Sequence, residues 1–429
     1  MPVPPRPDPV PSRLARRLGL GDAVVVGMGA MLGAGVFAAF GPAADAAGAG
    51  LIWGLAAAAL VAWCNATSSA QLAAIYPESG GTYVYGRRQL GRGWGVLAGW
   101  AFVTGKTASC AAMALTFVSY VAPSVGRPLA VAAVAGVVAL NLGGVRRTAT
   151  ATRVLVVVVV AALATVVVAG LAGGEADFSR LDVTSMGSGG AEGVLEAAGL
   201  LFFSFAGYAR IATLGEEVID PARTIPRAIP LALGCTLAVY LVVGLSALAA
   251  VGPEVLAASA APLAAVVAAG DLAELAPVVR GGAAVASLAV LLALVAGLAR
   301  TVFAMAADRE LPSWLAVVEP RHQVPARAEM VVGVVVVVAV VVVADLRSAI
   351  AFSSVNVLVY YAIANASALK LSPAQRRWPS GWAALGLVGC LMLALSLPLS
   401  SVLTATAVLG TGTLGYVLRR RTSTLGGSR

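Results

Sequence analysis

Gly27-Met-Gly-Ala-Met-Leu-Gly-Ala-Gly-Val-Phe37 lies within the first long apolar run of the chain. Four glycines in so short a stretch weaken a helix, because each costs roughly 0.5–1 kcal/mol relative to alanine. Two readings are open. Small residues let membrane helices pack closely. Alternatively the helix is broken here, and the freed N–H groups at Ala34 and Gly35 face an anion with a half-helix dipole behind them. A second interrupted segment, Phe202-Phe-Ser-Phe-Ala-Gly-Tyr208, follows five spans later. Two such segments in corresponding positions of two halves favour the broken-helix reading and point to a transporter site. They would open two inverted five-helix repeats.

Working outward, 59% of the 429 residues are hydrophobic and only 11% are charged. That leaves too little polar surface to cover a soluble core, so lipid must solvate much of the chain. Hydropathy predicts an all-α integral membrane protein of about twelve transmembrane helices. They fall at 22–41, 50–75, 94–122, 128–143, 153–172, 193–218, 228–251, 281–306, 329–344, 349–370, 381–397 and 400–418. The longest outer loops are Gly173–Glu192 and Gly252–Arg280. The second holds an apolar stretch, Ala261–Ala269, too short to span and expected to lie over the outer mouth. The Val-rich runs Val154–Val160 and Val331–Val343 read as lipid-facing or packing surface.

The net charge of +9 comes from basic residues in short loops. With the N-terminus inside, 22 Lys and Arg fall in cytoplasmic segments and four, Arg127, Arg180, Arg280 and Arg347, in outer loops. The positive-inside rule then puts both termini in the cytoplasm and explains the charge better than nucleic-acid binding does. The proline-rich N-terminus lacks an apolar core before Gly21, so no cleavable signal peptide is expected. Cys64, Cys110, Cys235 and Cys390 sit in apolar runs and read as small hydrophobes. The one histidine, His322, is in a loop, and no acid lies in the middle of a span. An intramembrane enzyme would need a nucleophile–base pair or metal ligands there, so neither catalysis nor a cofactor is expected.

Several motifs carry a specific resemblance. Gly-Ala-Gly-Val-Phe (33–37) resembles the first-helix signature of the amino acid–polyamine–organocation superfamily of permeases, and Tyr76-Pro-Glu-Ser-Gly-Gly-Thr-Tyr-Val-Tyr85, in the loop after the second span, is similar to another signature of that family. Asn141-Leu-Gly-Gly-Val-Arg146, the run from Phe202 to Pro226, and Arg300-Thr-Val-Phe-Ala-Met-Ala-Ala-Asp-Arg-Glu-Leu-Pro312 resemble further family segments in the expected order. The resemblance covers about residues 20 to 370. It implies a LeuT-like fold with a disordered cytoplasmic tail over 1–20, one inverted repeat over 21–175, and a second over 190–372. Helices 11 and 12 over 380–418 and a cytoplasmic tail over 419–429 would follow.

The resemblance also implies an amino acid permease of the cytoplasmic membrane, working by alternating access and expected to be proton-coupled. The substrate carboxylate would meet N–H groups at Gly33, Ala34 and Gly35. Its ammonium would meet carbonyls near Met31, Phe203 and Ala206, beside Gly207. Phe203 matches an aromatic gate. Relatives that take cationic substrates often carry an acid where this chain has Ala209, so a neutral zwitterion is expected. An amino acid/polyamine exchanger and a non-transporting nutrient sensor on the same fold are the alternatives. A major facilitator carrier also has twelve spans, but its loop signature needs an acid that Gly86-Arg-Arg-Gln-Leu-Gly91 lacks.

Lys106 lies twelve positions past Trp94, roughly 18 Å along a helix and near mid-bilayer. A charge there costs at least about 2.5–3.5 kcal/mol. Snorkelling is one reading. The other is coupling, by a lysine that gains and loses a proton or by a fixed cation in place of sodium. Relatives have a comparable lysine on the fifth helix, and this fifth span has none. Arg210, two turns before Glu216 and Glu217, reads as part of a cytoplasmic gate, as a partner of the substrate carboxylate, or as a structural ion pair in the inner half-helix. Arg223 and Arg300 read as structural partners at the same face.

Overall fold

The interrupted glycine run becomes two helices. In the computed structural model α1 spans Leu20–Met31 and α2 spans Ala34–Ala47. The chain leaves helical geometry at Gly33, where ψ is −151°. The structure describes residues 18–76, 80–144, 149–182, 187, 189–212, 214, 217–319 and 324–426. The expected tail over 1–17, Glu216, His322 and Arg146 lie outside the described residues.

After α2 the chain runs through α3 (Leu51–Ile75), α4 (Thr82–Gln89), α5 (Arg92–Val121), α6 (Arg127–Leu142) and α7 (Ala149–Ala172). The second interrupted segment gives α8 (Gly190–Phe205), a 3₁₀ turn at Ala206–Tyr208 and the short α9 (Ala209–Ala212). Then come α10 (Pro221–Ala258), α11 (Pro262–Ala268), α12 (Ala276–Ala307), α13 (Ala326–Val342), α14 (Leu346–Leu369), α15 (Ser380–Leu395) and α16 (Leu399–Gly426). The sole β pairing among the described residues is a bridge between Leu18 and Val218. Helix ends follow local chemistry. Asp22 in the first turn of α1 accepts from the Gly19 N–H at 3.2 Å, and Gly252, at φ 74°, bends α10 just before Pro253.

Among the described residues, eight helical stretches are long and apolar enough to cross a membrane. The chain is an all-helical membrane protein. The twelve hydropathic spans fall on these elements, but some belong to helices that are broken or short, such as α1, α6 and α15. The expected sixth span over 193–218 is helical only to Ala212 with its 3₁₀ break inside. The Val runs face outward in part: Val157 is 67% exposed and Val342 76%, while Val159 and Val336 are buried. Apolar stripes of this kind suit lipid on one side and neighbouring helices on the other.

The bundle has two ends. At one end Arg153 pairs with Asp22, Arg92 with Glu310 at 2.7 Å, and Arg377 donates to the Ala222 carbonyl at 2.7 Å. The Tyr83 hydroxyl and Arg87 converge on Asp308 at 2.6 and 2.5 Å. This end also carries Arg88, Arg223, Arg309, Arg327, Lys370 and Arg376 and is called the basic face here. At the other end Arg347, at the start of α14, bridges Asp45 of α2 and Glu196 of α8. Arg127 there donates to the Val343 carbonyl, and α11 packs under Tyr120, whose hydroxyl accepts from the Leu263 N–H. The core between the ends is rich in alanine, which lets α12 and α14 each approach α5 closely.

Candidate functional site

The two helix breaks meet. An added Cβ on Gly207 would stand 2.3 Å from the Ala30 carbonyl oxygen and 2.7 Å from the Met31 nitrogen. An added Cβ on Gly35 would stand 2.8 Å from Ser204 Cα. Both glycines are therefore places where backbone touches backbone. Gly33 differs: its missing Cβ points at Val290 Cγ2 of α12, 2.2 Å away, which is the end of a side chain. Met31, Gly33, Gly35, Ala206 and Gly207 thus lie at one junction. Ala34 opens α2, and its side chain is outside the described residues.

The junction brings backbone donors and acceptors together. The first four N–H groups of a helix have no partner within it, so α2 presents donors from Ala34 to Phe37 with the positive end of its dipole. Carbonyls face the other way. Met31 accepts from the Tyr240 hydroxyl, which also lies 3.1 Å from the Ser204 carbonyl. Ala206 accepts from the Tyr361 hydroxyl at 3.5 Å. Each carbonyl oxygen carries two lone pairs, so one hydroxyl does not exhaust its accepting capacity. The buried Ser204 hydroxyl has no hydrogen-bond partner among the described residues and adds one more polar atom at the junction.

Aromatic rings wall the site. Tyr208 stacks on Tyr361 at 5.1 Å, and Phe202 and Tyr360 meet Tyr361 edge-on at 5.9 and 5.2 Å. Phe205 packs on Tyr240 at 5.2 Å. Phe203, expected as a gate, is half-buried against the core. Tyr240 and Tyr361 were missed from sequence. The available signal was a tyrosine inside an apolar run, whose hydroxyl must find a partner when buried.

The two expected cationic residues lie on α9 and α5. Arg210, on α9, is exposed and lies 3.6 Å from Glu217, in keeping with the ion-pair reading. Its charge and that of Arg300 on α12 are close enough to interact. Lys106 is buried on α5, 8% exposed, with no carboxylate at ion-pair distance among the described residues. Its helix meets α14 through a polar seam: Ser109 with Ser353 at 2.7 Å and Thr104 with Asn356 at 3.0 Å.

A family profile described as amino acid permease matches residues 18–415. An uncharacterized transporter of Mycobacterium tuberculosis is 58% identical over 414 residues, covering 96% of this chain and 93% of the relative. A branched-chain amino acid permease of Bacillus subtilis is 27% identical over 342 residues, covering 73% of this chain and 71% of that protein. A chloroplastic cationic amino acid transporter of Arabidopsis thaliana is 27% identical over 382 residues, covering 82% of this chain and 65% of its own.

Proposed function

This chain belongs to the amino acid permease family, and from that premise we propose that it moves neutral, zwitterionic amino acids across the cytoplasmic membrane by alternating access. It is a transporter-family protein and not an enzyme. The observation that carries the substrate reading is the junction of the two breaks. One end of the ligand meets the N–H groups at Gly33, Ala34 and Gly35, the other the carbonyls of Met31, Phe203 and Ala206. Donors and acceptors a few ångströms apart fit a carboxylate and an ammonium on one carbon.

The named relatives include a branched-chain and a cationic carrier. The neutral reading is favoured by Ala209, which follows Tyr208 where a distal cation would need an acid. Twelve spans in two inverted repeats, with Phe203 and Arg210 as gates, complete the proposal. Lys106 takes the coupling role, titrating or standing as a fixed cation. The basic face is cytoplasmic by the positive-inside rule, which puts both termini inside.

Counterflow in proteoliposomes tests this. Vesicles preloaded with a branched-chain amino acid should take up labelled neutral amino acids and ignore lysine and putrescine. Preferred exchange of the dibasic compounds would replace this reading with the exchanger. Binding without flux would replace it with the sensor.

A further inference from the structure

Glu329 lies in the first turn of α13, thirteen residues or roughly 20 Å along the helix from Val342 at its other end. The sequence leaves it at the edge of a span. In the fold it is only 2% exposed, enclosed by α6, α12 and α5, and its Oε1 has no hydrogen-bond partner among the described residues. The groups around it are few. Asn141, at the end of α6, turns its side chain toward the carboxyl while its amide reaches the Leu292 carbonyl at 3.3 Å. Arg300 of α12 is the cation whose charge reaches Glu329. Arg327, on α13 itself, is directed instead to the Trp314 carbonyl at 3.4 Å. No titratable residue of α5 or α6 acts on it electrostatically among the described residues.

Arg300 is exposed on the surface of α12 in this conformation and has neither an ion pair nor a hydrogen bond among the described residues. A buried carboxylate with an unpartnered oxygen is costly, and two events remove the cost: a proton binds it, or a guanidinium moves in and pairs with it. Both alternatives are present here, one carboxyl and one uncommitted arginine.

We propose that Glu329 is a proton-binding site, and that proton and Arg300 guanidinium compete for its carboxyl. In the conformation described the proton is on Glu329 and Arg300 faces solvent. When α12 shifts so that Arg300 reaches the carboxyl, the proton leaves toward the basic face. The carboxyl thereby ties a protonation change to a movement of α12, the helix whose Val290 abuts Gly33 at the site. The inference rests on the permease reading for its transport consequence, but not for the binding of the proton itself.

Infrared difference spectroscopy on the reconstituted protein tests the site directly. A protonated-carboxyl band should titrate with pH in the wild type, vanish in Glu329→Gln, and disappear at lower pH in wild type than in Arg300→Gln. Glu329→Gln mimics the protonated form and should keep the wild-type thermal midpoint. It should still catalyse counterflow, yet accumulate substrate under an inward proton gradient only to the level reached without one. Glu329→Asp keeps the acid and should restore part of the gradient-driven accumulation. A band unchanged by Glu329→Gln, or gradient-driven accumulation equal to wild type in that variant, overturns the proposal. Absence of counterflow in the wild type would count against the permease reading and leave the infrared result to decide Glu329.

Discussion

The hydroxyl of Tyr240 on α10 donates to the carbonyl of Met31, the last residue of α1. The same hydroxyl lies 3.1 Å from the Ser204 carbonyl of α8. One side chain from a third helix therefore serves backbone groups beside both breaks. An interrupted membrane helix needs such a substitute, because no water is at hand to satisfy the freed carbonyls.

Tyr240→Phe removes this hydroxyl and little else. Leaving a buried acceptor unmet costs about 1–3 kcal/mol. The variant is expected to melt below wild type by scanning fluorimetry and to show a raised KM for uptake, since the Met31 carbonyl loses its fixed orientation. An unchanged melting point together with an unchanged KM would show that the hydroxyl is dispensable to the junction.

Gly207→Ala and Gly234→Ala make the same chemical change in different surroundings. The new methyl at 207 would press on the Ala30 carbonyl carbon at 2.4 Å, and backbone cannot step aside. At 234, on α10, an added Cβ meets no atom within 4 Å. Gly207→Ala should lose uptake and stability, whereas Gly234→Ala should keep activity and gain up to about 1 kcal/mol from helix propensity. Equal behaviour of the two would mean that the close approach of α1 and the 3₁₀ turn is not required.

The orientation proposal is tested by thiol labelling in intact cells, with the four native cysteines replaced. A cysteine at Gly187 should react with an impermeant reagent from outside. One at Lys370 should react only after permeabilisation. The basic face carries Arg87, Arg92, Arg153 and Arg377, while the other end has only Arg127, Arg180, Arg280 and Arg347 among the described residues. Reversed labelling would invert the topology.

Both breaks were legible in the sequence because glycine spacing is a local property of the chain. Their position relative to one another was not, since nothing in residues 27–37 encodes contact with residues 204–207. Gly35 shows the difference. Sequence suggests a backbone kept bare for a ligand, and the fold finds Ser204 Cα 2.8 Å from where its Cβ would be. Bulk at Gly35 thus separates α2 from α8 as well as crowding the N–H groups. Glu329 shows the same limit for charge. Hydropathy sets it at a helix end, where acids are usually solvated, and only the packing of α6, α12 and α5 buries it.

Lys106 is the remaining buried charge, and its environment sharpens what substitutions should do. It sits on α5 one residue past Gly105, whose missing Cβ points at Asn356 Cβ of α14, 2.9 Å away. Hydroxyls and amides of the α5–α14 seam are near in sequence, but no carboxylate is at ion-pair distance among the described residues. A lone ammonium in such a place persists only if polar neighbours solvate it or if it spends part of the cycle neutral. Lys106→Met keeps the length and apolar bulk and removes the amine. It should retain counterflow, because the proposed ligand contacts are backbone groups of α1, α2 and α8. It should lose accumulation driven by a proton gradient, or stall in one orientation. Lys106→Arg separates the two forms of the idea, since arginine stays charged at any accessible pH. Rescue by arginine assigns Lys106 a fixed charge, and failure to rescue alongside a folded, counterflow-active protein assigns it a titrating one. The deciding measurement is uptake against external pH for wild type and both variants in proteoliposomes. Wild-type accumulation with the same pH profile in Lys106→Met would make Lys106 a structural residue, solvated by the seam and without a part in coupling.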